Sequence, residues 1–201
     1  MDAIKDVAGG GDIMSASLPE KAIWGELDAL ERELGGDVRY FWRTRRHQTS
    51  QHWRRAYCRA VSAYFEAITS WMARYTVMLY HPGQLGDGER RTLESRFSAL
   101  ERAYHALDLF TNTAGAESPL QEESGEWKAL ADMIRIRNRI VHPRRSQDVL
   151  ITEDDLSAIE RAANVIVRLF SEALRRAADA LTQRANELQN EWQRTHGVPS
   201  V

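Results

Sequence analysis

Lysine is nearly missing from this chain: 3 of its 27 basic residues are Lys and 24 are Arg. Any anion it meets would therefore be held by planar guanidinium forks rather than by ammonium groups. The single cysteine, Cys58, cannot close an internal disulfide, which excludes a disulfide-stapled scaffold and points to a reducing compartment. With 5 Pro and 12 Gly the chain is neither collagen-like nor of low complexity. Apolar runs are interrupted, as at Arg74, and none reaches the ~20 residues of a membrane span. The opening MDAIKDVAGGGDIMSAS lacks a basic segment followed by an apolar core, so no signal peptide is expected, and the reading is a soluble, cytoplasmic protein. The net charge of −2 excludes a global positive field, so any nucleic-acid site would have to be a local cluster. Gly9-Gly10-Gly11 precedes neither a strand-to-helix turn nor a Lys-Ser/Thr pair, so it is no phosphate loop. His47 and His52 stand among arginines that would repel a divalent ion, and no His/Cys/Asp group has zinc spacing; neither metal nor cofactor is expected.

What is present is helical periodicity, with no strand-like alternation. Ser17-Leu18-Pro19-Glu20 has the form of a capping box, Ile23, Leu27, Leu30 and Leu34 follow it, and Gly35-Gly36 is expected to stop this helix. A second segment from about Asp37 carries Val38, Phe41 and Trp42; a break near Thr49-Ser50 stays open. Trp53, Tyr57, Val61, Tyr64/Phe65, Ile68, Trp71/Met72, Tyr75 and Leu79 predict a helix over 51–80. A Pro- and Gly-punctuated loop at 81–88 precedes a helix over about 89–112, with Leu93, Phe97, Leu100, Tyr104, Leu107 and Phe110 inward. After a polar connection, a helix from about Ser124 to His142 ends at Pro143.

The last helix has Thr152 placed as N-cap, Asp155 three residues on, and Ile151 with Leu156 as a hydrophobic staple. Its stripe is Leu156, Ile159, Ala163, Ile166, Phe170, Leu174, Ala177, Leu181, Ala185, Leu188 and Trp192. Steps averaging about 3.6 residues describe a straight helix rather than a supercoiled seam. It outreaches a compact bundle, which leaves its far end to pack on a second subunit. The expected architecture is all-α: an antiparallel bundle of about five helices with a long C-terminal helix. Residues 1–16 read as a flexible tail, 17–194 as one helical domain and 195–201 as a short C-terminal tail.

One residue breaks the pattern. On a wheel of Trp127–His142, Leu130, Met133, Ile134, Ile136, Ile140 and Val141 fill a broad apolar arc, and Arg137 falls near its middle. Asn138 and His142, four apart, stack at the rim, while Arg135 and Arg139 point outwards. Arg137 can snorkel, meet a carboxylate from another helix, suit the helix dipole, or serve a site. The densest basic region lies elsewhere: Arg39, Arg43, Arg45, Arg46, His47, His52, Arg54, Arg55 and Arg59, interleaved with Tyr40, Phe41, Trp42 and Trp53. It reads either as a solvated, salt-bridged face or as an RNA-backbone track with stacking aromatics.

The segment Met133-Ile134-Arg135-Ile136-Arg137-Asn138-Arg139-Ile140-Val141-His142-Pro143 resembles the signature of HEPN domains, in which an Arg and a polar residue, often Asn, precede a His near a helix end. Arg54-Arg55-Ala56-Tyr57 through Ala63-Tyr64-Phe65-Glu66-Ala67 is similar to that family's early core helix, and the likeness covers about 50–185 in outline. It implies a HEPN-like bundle, a homodimer that pools two motifs in one cleft, and a metal-independent endoribonuclease of the toxin or antiviral-defence kind. Arg137, Asn138 and His142 would be the catalytic set. Where HEPN toxins silenced by nucleotide attachment carry Tyr, two residues after the His, this chain has Arg144, so another control would be needed, for instance an inhibitory or activating partner protein.

The chemistry suits the residue types. Cleavage by the 2′-hydroxyl needs a base, an acid and a cation for the phosphorane charge. Histidine serves as acid or base near neutral pH, and a guanidinium holds two phosphate oxygens in one fork. Asn138 is placed to orient the imidazole. Arg139, Arg144 and Arg145 flank the motif for substrate phosphates, and Arg45, Arg46, Arg54 and Arg55 are the RNA-binding candidates of the basic cluster. The alternative is a non-catalytic HEPN-like module that binds a nucleotide, an RNA or a partner protein.

Overall fold

The computed structural model describes residues 18–48, 50–79 and 98–196. Among them are five α-helices and no strand: α1 Leu18–Thr44, α2 Gln51–Leu79, α3 Ala99–Thr113, α4 Gly125–Val141 and α5 Glu153–His196. Single 3-10 turns, Arg45–His47 and Ser146–Val149, join α1 to α2 and α4 to α5. None of these helices is long and apolar enough to cross a membrane. The proposed N-terminal capping box at Ser17 and the 81–88 loop lie outside the described residues, as do Leu93 and Phe97.

The bundle is built around α2. Tyr57, Cys58, Val61, Trp71 and Met72 are completely buried, with Phe65 and Ile68 nearly so, because the sequence places an apolar residue at every third or fourth position over seven turns. α1 returns along it in antiparallel register: the Trp71 indole N–H donates to the Ile23 carbonyl at 2.7 Å, and Trp53 Nε1 donates to Thr44 Oγ1 at 3.3 Å. α4 and α5 are also antiparallel, and two ion pairs set their register, Glu126 with Arg168 at 2.5 Å and Arg139 with Asp155 at 2.6 Å. This is the expected all-α bundle of five helices among the described residues, and one pair of neighbours departs from the antiparallel pattern. Ala99 and Arg102 lie beside Phe65 and Glu66, while Phe110 lies beside Trp71 and Tyr75, so α3 runs in the same direction as α2.

Two helix boundaries also differ from expectation. Gly35-Gly36 does not stop α1, which continues to Thr44. A Cβ on Gly35 would come 2.8 Å from Glu31 Oε2 and 3.4 Å from the Tyr64 ring, so the glycine serves the close approach of α1 to α2 rather than a C-cap. Within the helix expected over about 89–112, Ser98 is an N-cap in a full capping box, so the described helix starts at Ala99: Ser98 Oγ accepts from the Glu101 N–H at 3.2 Å and Glu101 Oε2 from the Ser98 N–H at 2.8 Å.

The start of α5 follows the sequence closely. Thr152 Oγ1 accepts from the Asp155 N–H at 3.1 Å, and Asp155 Oδ2 accepts from the Thr152 N–H at 3.0 Å. Ile151 is fully buried behind the cap. The expected stripe is buried in the bundle at Ile159, Ala163, Ile166, Phe170 and Ala177, and then leaves it: Leu181, Ala185, Leu188 and Trp192 are exposed.

Candidate functional site at the end of helix α4

Ser124 caps α4 by accepting the Trp127 N–H at 3.1 Å, and Pro143 ends it by holding His142 out of helical geometry (φ −121°, ψ 60°). Leu130, Met133, Ile136 and Ile140 are buried as the wheel requires, whereas Val141 is exposed. Arg137 escapes the apolar arc sideways: its side chain keeps 32% of its surface and reaches the cleft between α2, α3 and α4. There it meets a carboxylate of another helix, Glu66 on α2, with Nη2 to Oε1 at 3.5 Å. Its Nη1 donates to Asn138 Oδ1 at 3.0 Å. Asn138 and His142 are exposed, and the His142 backbone N–H donates to the Asn138 carbonyl at 2.9 Å. The Asn138 side-chain oxygen thus serves the guanidinium. Among the described residues no side chain hydrogen-bonds the His142 imidazole.

The cleft has a volume of about 290 Å³, and Ser62, Phe65, Glu66, Arg102, Arg137 and Asn138 are among its walls. His142 is not among these walls; it is the C-cap of α4, one turn after Asn138. Two charged residues at this cleft, Glu66 and Arg102, were not among the sequence candidates. Glu66 lies in the stretch similar to the HEPN core helix, and its spacing from Ser62 puts both on one face of α2. Arg102 gives no comparable signal, because nothing in its local pattern distinguishes it from a solvated helix residue.

No family model, curated protein or solved structure matches this chain. The likeness to HEPN domains therefore rests on its own residues.

The candidate phosphate-binding arginines divide sharply. Arg54 is buried: Nη1 donates to the Ile151 carbonyl at 3.0 Å, Nη2 pairs with Glu153, and Nε has no partner. It holds the start of α5 against α2 and is closed to a substrate. Arg139 does not point outwards as expected, since its guanidinium binds Asp155 Oδ2 at 2.6 Å and the Leu150 carbonyl at 3.1 Å. Arg45 lies 3.6 Å over the Trp42 ring and pairs with Glu160 at 3.3 Å, and Arg55 donates to the Val149 carbonyl at 3.3 Å. Of the wider cluster, Arg39 is held by Glu31. Among the described residues, the exposed Arg46, Arg144 and Arg145 make no ion pair. Arg144 and Arg145 are presented side by side, because both backbone N–H groups donate to Asp148 Oδ2 at 2.8 Å. They follow His142 directly, so this turn carries free positive charge beside the motif, as Arg102 does at the cleft wall.

Asp155 carries the electrostatics of the junction. Burial disfavours its charge, but the Thr152 N–H, the Arg139 guanidinium and the Thr152 hydroxyl outweigh that and hold its carboxyl below the ordinary carboxylate range. Cys58 is buried beneath this region, and burial pushes its thiol up to about 12, which makes it a packing residue and no nucleophile. Among the described residues, no group of three or more His, Cys, Asp and Glu is placed to hold a metal ion.

Proposed function

We propose that this chain is a metal-independent endoribonuclease of HEPN type, acting as a homodimer whose two motifs share one cleft. The observation that carries the reading is Arg137. A cation set in an apolar helix arc is costly unless it has a task or a partner, and here it opens onto a solvent-accessible cleft, one turn from an exposed histidine. In the proposed reaction the substrate 2′-hydroxyl gives its proton to a base and attacks the adjacent phosphorus. The 5′-oxygen of the next nucleotide leaves with a proton from an acid, and a 2′,3′-cyclic phosphate remains. Two copies of His142 would fill the two proton-transfer roles, Arg137 would carry the developing phosphorane charge, and Arg144 and Arg145 would bind flanking phosphates. A toxin or defence role follows from the family likeness.

A second reading has one observation in its favour. Asn138 Oδ1 is spent on Arg137, and nothing among the described residues orients the imidazole. That suits a binding module, in which the cleft holds a nucleotide, an RNA or a partner without chemistry. Purified protein incubated with total RNA in chelator, beside a His142→Ala control, separates the two. Cyclic-phosphate ends that vanish in the variant support the nuclease; RNA that is bound but intact supports the module.

A further inference from the structure

α5 has 44 residues, and from Ala178 onward nearly every side chain is exposed. Those 19 residues form an arm about 28 Å long at 1.5 Å per residue. An isolated helix of this length is marginal in water, so an arm without packing partners needs a surface to lie on. The residues it presents are not those of a solvated helix: Leu181, Leu188 and Trp192 are 49%, 58% and 54% exposed.

The apolar line shifts by one position where the helix leaves the bundle. Inside, the buried line reaches Ala177. Outside, an apolar line runs from the exposed Ala178 through Leu181, Ala185, Leu188 and Trp192 in steps of three and four residues, and the polar Thr195 lies one step further on. A 3.5-residue repeat is the seam of a left-handed coiled coil. At the arm's root the seam runs into an apolar pocket of about 130 Å³ walled by Trp24, Tyr75, Phe110 and Leu181.

We infer that the arm is a dimerisation element that pairs with the same arm of a second copy in antiparallel, two-fold fashion. Large residues then face small ones: Ala185 lies opposite the partner's Leu188, Leu181 opposite the partner's Trp192, and Ala178 opposite the partner's Thr195. The same register sets Arg184 beside the partner's Glu191, and the two-fold axis repeats that pair. A parallel pairing would instead oppose Trp192 to Trp192 and Ala185 to Ala185, and it would leave Arg184 beside a glutamine. The partner's Trp192 also arrives at the level of Leu181, on the rim of the apolar pocket.

This interface is separate from any that pools the motifs, and it does not rest on the nuclease reading. The Arg139–Asp155 pair fixes the end of α4 at the start of α5, so two molecules joined by their arms hold their motifs roughly 90 Å apart along the helix axis. Both interfaces together would give an assembly larger than a dimer.

Light scattering on the full-length protein, with circular dichroism to verify helix content, tests the arm. Leu181→Glu combined with Leu188→Glu should halve the mass while the bundle stays folded. Arg184→Glu alone and Glu191→Arg alone should each weaken assembly, and the two together should restore it, because the exchanged charges meet again only in the antiparallel register. A wild-type mass of 23.0 kDa, an unchanged mass in the double-glutamate variant, or failure of the charge exchange to restore assembly would each overturn the proposal.

Discussion

Glu66 Oε1 lies 3.5 Å from Arg137 Nη2 across the cleft between α2 and α4. The carboxylate neutralises the one cation of the motif and holds it at the mouth, where an incoming phosphate would compete for the same guanidinium. Glu66→Gln should therefore raise RNA affinity several-fold, most clearly at low salt. A half-exposed pair of this kind is worth about 0–1 kcal/mol, so stability should hardly change. Filter binding at two salt concentrations, beside a urea melt, measures both. Weaker binding by the variant would show that Glu66 contacts the ligand favourably.

His142→Ala should lower the cleavage rate by roughly two to four orders of magnitude, the usual worth of a positioned acid or base. Arg137→Lys keeps the charge but loses the fork, and should fall close to Arg137→Ala. RNA with 2′-deoxy or 2′-O-methyl at the cut should resist the wild type. Mixtures of His142→Ala and Arg137→Ala subunits should stay well below the wild-type rate; a wild-type rate in such mixtures would remove both residues from the catalytic set.

Asp155→Asn should destabilise the fold at neutral pH by about 1–2 kcal/mol, since it weakens a cap and the partner of Arg139 together. The pH dependence has a definite sign. Asp155 titrates below its unfolded value, so its contribution is full above about pH 4 and is lost as pH falls through the lower, folded value. Urea midpoints of wild type and variant should converge in acid. A gap that persists there would assign the cost to packing rather than to charge.

Gly36→Ala should stabilise the protein by about 0.5–1 kcal/mol, because a Cβ there meets nothing closer than the Arg39 guanidinium at 4.0 Å and alanine is the better helix former. Gly35→Ala should lack that gain. Its Cβ would displace the Glu31 carboxylate, which accepts from both Tyr64 Oη and Arg39. Chemical denaturation of the two single variants gives the contrast directly, and equal stabilities would refute the close-packing role of Gly35.

These glycines mark where sequence reasoning stops. The buried line of α2, the cap at Thr152 and Asp155, and the helix end at His142 are all encoded within a turn or two, so they were legible from spacing alone. Gly35-Gly36 has the local chemistry of a helix stop, and only the neighbouring helix makes it a packing site. The arginines fail for the same reason. Arg54, Arg46 and Arg144 look alike in the chain, yet Arg54 is committed to groups 97 and 99 residues away. The motif itself was legible because Arg137 contradicts its apolar surroundings. Its partner Glu66 was not, since one carboxylate on a half-exposed helix face contradicts nothing.

The Ile151 carbonyl accepts from Gln51 Nε2 at 2.9 Å and from Arg54 Nη1, while the Ile151 N–H donates to Gln51 Oε1 at 2.8 Å. This clasp closes a loop of about a hundred residues, an entropic cost met only when most of the chain is present. During synthesis, the turn after His142 has no anchor until the residues around Ile151 have left the ribosome. The turn that carries Arg144 and Arg145 thus acquires its fixed geometry after the cleft of α2, α3 and α4, and a chain that stalls before Ile151 would carry Arg137 and His142 without the frame of a held turn. If the proposed nuclease reading holds, a nascent chain would lack this frame until α5 is made.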